Sequence, residues 1–383
     1  MAPQRLASLD ITRGLIVALM ALDHVRIYVS NAQFDPVDLS HTNAAWFFTR
    51  LVTHLCAPGF FFIAGFGTAM SEQNGAGKRA LAGFLLTRGL WLIVFELTVM
   101  GVAWSFGLHG WSWFGVLWGL GASMIALAAL IFLPRAVLFI AAVAAMALQE
   151  QWLGLASSQN GELWALLGTG GVWAAPVIGP KIVLYPLLPW LCIMTLGYAS
   201  APLLLKEGKP RAVMTFVVGA LLLAAFLVTR VLGVGGGTPQ DDPQQVLAFL
   251  NVEKYPPSLQ FSLLTLGVLL VFFGAVAAIE ARGRPMRAFH ALNTYGRVPF
   301  FFYVLHIYLI HGAALLCANV LHWPTDYLFW SGMGPNLRPP DGYGFPLLGV
   351  YAAWLVVLLI LYPLCAWFAA LKANSKAPWL RYL

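Results

Sequence analysis

Long apolar stretches alternate with short polar ones along the whole chain, and they predict its secondary structure. A helix needs about 20 mostly apolar residues to cross the hydrocarbon core of a bilayer. We expect ten transmembrane helices, at residues 9–30, 44–70, 81–106, 112–133, 136–154, 183–205, 212–234, 259–280, 295–320 and 346–371. The fourth and fifth are joined only by Pro134 and Arg135, so they form either a tight hairpin or one re-entrant pair.

Lysine and arginine residues concentrate in alternate loops, which predicts the orientation of the chain. Cytoplasmic loops of membrane proteins carry an excess of these residues. With a cytoplasmic amino terminus, the inner side holds Arg5, Lys78, Arg79, Arg135, Lys206, Lys209, Arg211, Arg282, Arg284, Arg287, Lys372, Lys376 and Arg381. The outer side holds only Lys181, Lys254 and Arg338. This asymmetry predicts an even number of spans and two cytoplasmic termini.

The composition excludes a water-soluble enzyme. Of 383 residues, 60% are hydrophobic and 10% are charged, whereas soluble domains carry about 25% charged residues. We therefore predict an all-α polytopic transmembrane bundle whose partner is the lipid bilayer. No repeat or linker divides the chain, so residues 1–383 are expected to form a single membrane domain.

The net charge and the cysteines point to no further class of ligand. The formal net charge of +7 follows from the basic loops that set the orientation, so we expect no nucleic-acid partner. The four cysteines lie inside apolar runs without the spacing of a metal site. Neither a disulfide framework nor a bound metal is expected.

Ionisable side chains inside the spans are the candidates for function. Such groups cost several kcal/mol unless they face the interior of the bundle, and they often mark a functional site. The predicted spans contain Asp10, Arg13, Asp23, His24, Arg26, Arg50, His54, Arg88, Glu96, Arg230, Arg297, His306 and His311.

Several of these residues fall at similar depths. With a rise of about 1.5 Å per residue, His24 and Arg50 lie about 9 Å below the outer end of their spans and His54 about 15 Å below. Glu96 falls in the outer half of the third span, and His306 falls near the middle of the ninth. Because helices bury charges inward, we expect these groups to converge.

The chemistry of this cluster suggests proton transfer. Asp23 could pair with Arg50 and leave His24 or His54 neutral at pH 7. A neutral imidazole can take a proton from an acceptor and return it to a leaving group. The positions of Arg13 and Arg88 inside the spans are also explained if their side chains extend toward the inner membrane surface. For His306 and His311, both a functional role and a packing role stay open.

Several segments, spread over nearly the whole chain, carry a resemblance to a known family. They are Arg5-Leu6-Ala7-Ser8-Leu9-Asp10-Ile11-Thr12-Arg13-Gly14-Leu15, Leu22-Asp23-His24-Val25-Arg26, Phe48-Thr49-Arg50, Thr53-His54-Leu55-Cys56-Ala57-Pro58, Lys254-Tyr255-Pro256-Pro257-Ser258, Gly296-Arg297-Val298-Pro299 and Tyr303-Val304-Leu305-His306. Together these segments resemble bacterial proteins related to heparan-α-glucosaminide N-acetyltransferase.

The resemblance implies a polytopic acyltransferase of the bacterial inner membrane. The characterised relative moves acetyl from cytoplasmic acetyl-CoA to a glucosamine amine across the membrane, and it relies on a histidine just before the second span. The nearest histidine here is His41, at a different distance from that span, while His54 stands where the relative has an aspartate. On physical grounds we favour His54 as the catalytic histidine, then His24, then His41.

Our leading hypothesis is an acyltransferase that uses acetyl-CoA or another acyl-CoA and an extracytoplasmic glycan or small acceptor. His54 would be the general base or a transient acyl carrier, His24 a second proton-transfer group, and Asp23 and Arg50 would orient them. Further catalytic or acceptor-binding candidates are His41, Glu96, His306 and His311. The CoA phosphates would be met by Arg13, Lys78, Arg79 and Arg88.

Two other classes of function are compatible with the buried charges. The first is a solute transporter or flippase with a buried proton relay. The second is a structural subunit of an envelope assembly. The sequence also leaves open whether the protein forms a homodimer.

Overall fold

The apolar stretches of the sequence form helices in the structure, which is a computed structural model. It describes residues 6–107, 112–158, 161–173, 179, 181–206, 208–234, 245–329, 338–375, 377 and 380. Arg5, Lys376 and Arg381, which we predict to be cytoplasmic, lie outside this part of the chain.

Helices account for nearly all the regular structure of the described residues. They are α1 (Ala7–Val29), α2 (Ala44–Thr53), α3 (Cys56–Gln73), α4 (Lys78–Phe95), α5 (Gly101–Ser105), α6 (Val116–Leu130), α7 (Arg135–Ala147), α8 (Gln149–Ser158), α9 (Glu162–Trp164), α10 (Leu187–Leu204), α11 (Lys209–Val231), α12 (Gln245–Leu250), α13 (Leu259–Ala281), α14 (His290–Arg297), α15 (Pro299–Val320), α16 (Asp326–Phe329) and α17 (Leu347–Asn374). Two π-helical turns (Glu96–Met100 and Ala165–Thr169) and a 3₁₀ turn (Arg287–Phe289) complete them.

The described strands form one small sheet of three-residue strands. These are β1 (Ser112–Phe114), β2 (Gly171–Trp173) and β3 (Lys181–Val183), in the order β1-β3-β2. The β1–β3 pair is parallel and aligns Ser112 with Lys181, and the β2–β3 pair is antiparallel. The chain is therefore an all-α polytopic protein with a minor sheet.

Each of the ten predicted spans coincides with a helix or a pair of helices, but not all have the length and composition of a span. Among the described residues, seven qualify: Ala44–Gln73, Lys78–Ser105, Leu187–Leu204, Lys209–Val231, Leu259–Ala281, Pro299–Val320 and Leu347–Asn374. An eighth results if α7 and the first part of α8, which meet at a bend of 66°, are counted as one span. The short α6 and the charged α1 do not qualify, so the count of ten remains a prediction.

The chain divides into two compact units that are interleaved in sequence. The larger unit comprises the described residues within Ala57–Thr98 and Gly110–Pro285. The smaller unit comprises those within Leu6–Cys56, Val99–His109 and Met286–Leu383. This division does not test the prediction of a single domain, which stays a prediction.

Two glycines bring α1 and α14 into backbone contact in the smaller unit. A Cβ on Gly14 would overlap the carbonyl oxygen of Leu292, and one on Gly296 would overlap the carbonyl oxygen of Asp10. Small residues at helix interfaces allow this close approach within membranes. The contact fixes the first turns of α1 against the segment that leads into α15.

In the larger unit, α4 and α6 pack through a similar pair of glycines. A Cβ on Gly89 would lie 2.6 Å from the carbonyl oxygen of Gly121, and one on Gly121 would lie 2.5 Å from that of Gly89. Nearer the carboxyl end of α4, the Glu96 carboxylate accepts a hydrogen bond from the backbone N–H of Leu117, at the start of α6. The two helices are therefore antiparallel.

The carboxyl end of α1 is closed by the segment that precedes α17. The last carbonyls of a helix have no partner within the helix. Here the carbonyl of Ile27 accepts from the Tyr327 hydroxyl and that of Tyr28 from the Tyr343 hydroxyl, while that of Val29 accepts from the backbone N–H of Phe345. The predicted outer loop thus caps the helix that carries Asp23 and His24.

Substitution of Gly14 tests the close contact between α1 and α14. We expect Gly14→Ala to lower the stability of the purified protein by about 3 kcal/mol, because the methyl group overlaps backbone that cannot move aside. The measurement is the thermal unfolding midpoint in detergent.

Gly83→Ala is the matched control, because a Cβ there meets no atom within 4 Å. Alanine favours a helix over glycine by about 1 kcal/mol, so this variant should be as stable as the wild type or more so. Equal midpoints for the two variants would contradict the close contact.

Candidate active site

A three-residue ion cluster lies near the carboxyl end of α1. Arg50 Nη1 on α2 is 2.6 Å from Asp23 Oδ2, and Arg26 Nη2, one turn further along α1, is 3.0 Å from Asp23 Oδ1. All three side chains are no more than 14% exposed. The predicted pairing of Asp23 with Arg50 is confirmed, and one carboxylate holds two guanidinium groups.

The neighbouring residue His24 contacts His306 on α15. His24 Nδ1 lies 2.6 Å from His306 Nε2, and the two rings are nearly parallel with centroids 4.9 Å apart. The Trp104 ring meets His24 edge-on at 4.9 Å. Two histidines from predicted spans one and nine therefore converge, within the smaller unit.

His306 is fixed by the backbone of its own helix. Its Nδ1 faces the carbonyl oxygens of Tyr303 and Phe302, one turn earlier on α15, with a distance of 3.1 Å to the latter. The side chain is fully buried. These contacts hold its Nε2 toward His24.

His54 occupies the break between α2 and α3. It follows the last residue of α2, and its side chain is only 3% exposed. Pro58 accounts for the break. A proline ring clashes with the carbonyl four residues earlier in a helix, here that of His54, and it offers that carbonyl no N–H. The structure thus places His54 at an irregular point of the backbone, in the smaller unit.

Glu96 caps the amino end of α6. It begins the π-helical turn after α4, is 2% exposed, and accepts hydrogen bonds from the backbone N–H groups of Leu117 and Gly115. Gly115, the residue before α6, offers no side chain to cap the helix. This contact lies in the larger unit and gives Glu96 a structural role, which the sequence did not suggest.

His311 is packed among aromatic rings in the smaller unit. Its ring lies 3.8 Å from that of Phe106 and 4.7 Å from that of Tyr28, and its Nδ1 is 2.9 Å from the carbonyl oxygen of Ala103. A carbonyl oxygen only accepts hydrogen bonds, so this nitrogen donates. His311 therefore joins α15 to α5.

His41 lies in the exposed loop before α2. Its Nδ1 is 2.8 Å from Asp38 Oδ2 and 2.7 Å from the Ser40 hydroxyl. Hydrogen bonds from Ser40 and then from His41 lower the pKa of Asp38 to about 2. An ordinary aspartate has a pKa of about 3.9. The hydrogen bonds to Asp38 therefore stabilise the loop above that pH, and this stabilisation is lost as the pH falls through about 2.

The four predicted donor-binding residues have different surroundings. Arg13 pairs with Asp10 at 3.3 Å in the smaller unit. In the larger unit, Lys78 and Arg79 begin α4, where Lys78 is half-buried and Arg79 is exposed. Arg88 lies 5.3 Å from the centre of the Trp91 ring.

No group of three or more metal-binding side chains occurs among the described residues. The ion cluster and the histidine pair bring ionisable side chains from α1, α2 and α15 together. Together they offer a positively charged environment beside an imidazole that can exchange protons.

A family model matches more than half of the chain. The model describes the catalytic region of heparan-alpha-glucosaminide N-acetyltransferase, and it matches residues 5–230. The chain belongs to this family. No curated protein matches it. Family membership and the apolar helices make the chain a multi-pass membrane protein of an acetyltransferase family.

The matched range contains only part of the site of this family member. Asp23, His24, Arg50 and His54 fall within residues 5–230, whereas His306 lies beyond them. The resembling segments around residues 254 and 296 also lie outside the matched range. The partner of His24 thus comes from a part of the chain that the family model does not cover.

Besides the contact of His24 with His306, three contacts of the candidate site were not predicted from the sequence. Arg26 was recognised as buried but not as a partner of Asp23, although their spacing of three residues on one helix could have shown it. Trp104 contacts His24 through tertiary packing, and the carbonyl of Tyr303 contacts His306 through the local geometry of α15. No spacing in the sequence signals them.

Substitution of Glu96 separates a capping role from a catalytic one. We expect Glu96→Leu to destabilise the protein by about 1–2 kcal/mol, the range for loss of a helix cap. Glu96→Gln keeps one acceptor oxygen and should lose less. The thermal midpoint in detergent measures both effects.

Thr98→Ser is the control, since Thr98 is exposed in the same π-helical turn and serine keeps the hydroxyl that donates to the Val94 carbonyl. Its midpoint should equal that of the wild type. An unchanged midpoint in Glu96→Leu, together with complete loss of acetyl transfer, would contradict the capping role.

Proposed function

We propose that the protein transfers acetyl from acetyl-CoA at the cytoplasmic face to an amine of a glycan or small molecule from the other side. The membrane would be the inner membrane of a bacterium. The observation that carries the proposal is the contact between His24 and His306 in a chain of an N-acetyltransferase family. An imidazole held in this way is suited to exchange a proton with a reacting amine.

The proposed reaction uses His24 as a general base. The acceptor nitrogen attacks the thioester carbonyl carbon, and His24 Nε2 takes one proton from that nitrogen as the C–N bond forms. The C–S bond then breaks, and the departing CoA thiolate receives the proton from His24. The product is an amide and free CoA, and no acetyl group is attached to the protein.

The ion cluster would hold His24 in place during this step. Asp23 precedes His24, and its two carboxylate oxygens are bonded to Arg50 and Arg26. Removing one partner of a buried ion pair costs about 3–5 kcal/mol, so this turn of α1 is strongly fixed. We infer a positioning role for Asp23 and Arg50.

The geometry favours His24 over His54 as the base. His24 contacts the imidazole of His306 and follows Asp23, which two guanidinium groups hold, and this arrangement supports His24 as the base. This reverses the preference drawn from the sequence. His54 remains the second candidate, and the kinetic test below compares the two residues directly.

The donor phosphates would meet the basic residues at the start of α4. Arg79 is exposed and Lys78 is half-buried beside it, and guanidinium groups bind phosphate through paired hydrogen bonds. Arg13 already pairs with Asp10 and Arg88 stacks on Trp91. We therefore place Arg79 first among the four candidates for donor binding.

We also propose that all ten predicted helices cross the membrane, with both termini in the cytoplasm. The helix α6 is shorter than a full span, because its 15 residues cover only about 22 Å. Its amino end is bonded to Glu96, about 27 Å along α4 from Lys78. Just beyond its carboxyl end, Arg135 pairs with Glu72 at 2.8 Å, close to the α3–α4 turn.

Both ends of α6 therefore match the ends of α4, which supports a full crossing completed by short non-helical segments. Reporter fusions test this topology. A fluorescent protein that matures in the cytoplasm should fluoresce when fused after Pro134, and a phosphatase that is active only outside should be inactive there.

The control fusions follow Asp341, where the two reporters should give the opposite result. Phosphatase activity after Pro134 would contradict the proposed crossing of α6. The Asp341 site belongs to the loop before α17, which we place on the outer side.

Acetyl transfer in proteoliposomes tests the proposed function. With radiolabelled acetyl-CoA added outside inside-out vesicles, whose cytoplasmic face is exposed, and a glucosamine-terminated acceptor enclosed in the lumen, the wild type should form an acetylated product. His24→Asn should lower kcat by about 100-fold, within the range for loss of a general base. Asparagine keeps an N–H toward His306 but lacks the second ring nitrogen.

His54→Asn should lower kcat less than His24→Asn does, and His322→Asn, which alters an exposed histidine at the end of α15, serves as the control. A larger loss in His54→Asn would assign the base to His54. Accumulation of labelled solute without an acetylated product would instead indicate a transporter.

A further inference from the structure

The hydrogen-bond pattern around His306 defines which nitrogen of each histidine carries a proton. A backbone carbonyl oxygen can only accept a hydrogen bond, so His306 Nδ1, which faces Tyr303 and Phe302, must carry hydrogen. In the neutral ring the other nitrogen, Nε2, is then an acceptor. The 2.6 Å contact with His24 consequently requires His24 Nδ1 to donate.

The same reasoning extends to the far side of His24. A neutral imidazole has one N–H group and one nitrogen without hydrogen. Since Nδ1 of His24 donates to His306, its Nε2 carries no hydrogen and is the basic nitrogen. The tautomer of His24 is thus set by a carbonyl oxygen on α15, through two hydrogen bonds.

We propose that His306 is a positioning residue that selects the tautomer of His24 and shares the proton that His24 receives. This inference rests on the proposed function. When His24 Nε2 takes a proton from the acceptor amine, the proton on His24 Nδ1 can move to His306 Nε2. The pair then carries one positive charge, and the reverse movement restores the neutral pair as CoA leaves.

The pair holds one additional proton at most. Two protonated rings would direct N–H groups at each other across 2.6 Å. The charged groups nearby are Asp23 and Arg26 on α1 and Arg50 on α2, which together carry one net positive charge, while His311 lies one turn away on α15. This environment disfavours a lasting imidazolium and promotes return of the proton to the thiolate.

Two substitutions of His306 separate its positioning role from packing. Methionine fills much of the same space and offers His24 Nδ1 only a weak sulfur acceptor, whereas the side-chain oxygen of glutamine is a strong acceptor for it. We expect His306→Met to lower kcat by about 100-fold with an unchanged KM for acetyl-CoA. His306→Gln should recover at least a tenth of the wild-type kcat.

His322→Asn again provides the control, and the thermal midpoints of all variants show whether each folds. Equal losses in His306→Met and His306→Gln would overturn the positioning role, as would wild-type kcat in His306→Met. A rise in KM with unchanged kcat would also overturn it, because a tautomer effect acts on the proton-transfer step.

The nitrogen resonances of His24 give a readout that needs no enzymatic activity. In wild-type protein with ¹⁵N-labelled histidine, solid-state NMR should show His24 Nε2 without hydrogen and Nδ1 with hydrogen. His24→Asn identifies the resonances by their loss. The Nε2 signal should change to a mixture of tautomers in His306→Met.

A hydrogen on His24 Nε2 in the neutral wild type would overturn the inference whatever the activity. Conversely, absence of any acetylated product from wild-type vesicles would count against the proposed function and leave the tautomer result standing. Activity that depends on His24 but not on His306 would keep the function and reject the role of His306.

Discussion

Polar groups buried away from water need partners within the protein, and this constraint governs the part of the structure where chemistry is proposed. In hydrocarbon each unsatisfied polar group costs several kcal/mol. In the last turns of α1, the Asp23 carboxylate is met by two guanidinium groups and His24 by a second imidazole. The contacts that make these residues tolerable in the bilayer also fix their orientation.

The same constraint explains how irregular backbone is accommodated around the site. The π-helical turn and α5 leave carbonyls that side chains of other helices satisfy: the Tyr308 hydroxyl donates to Val99, the Tyr28 hydroxyl to Trp104, and His311 Nδ1 to Ala103. The ring of Trp104 then meets His24. An interruption of a helix thus becomes one wall of the site, which agrees with the frequent occurrence of π-helical turns at functional sites.

Much of the helical architecture could be predicted from the sequence, since apolar stretches of span length leave little alternative to helices. The pairing of Asp23 with Arg50 followed from their depths alone. The contact of His24 with His306 could not be predicted, because it joins residues 282 positions apart and depends on helix rotation. The capping role of Glu96 likewise depends on where it lies along α6. From the sequence alone, a glutamate inside an apolar stretch is equally consistent with catalysis.

The central claim is that histidine moves a proton and does not carry the acetyl group. It is tested most directly by mixing wild-type protein with radiolabelled acetyl-CoA in the absence of acceptor, quenching within one turnover, and measuring label bound to the protein. The account predicts no more bound label than in His24→Asn, and rapid product formation in an unquenched portion once acceptor is added to it. Bound acetyl in amounts equal to the protein, located on His24 or His54, would contradict it.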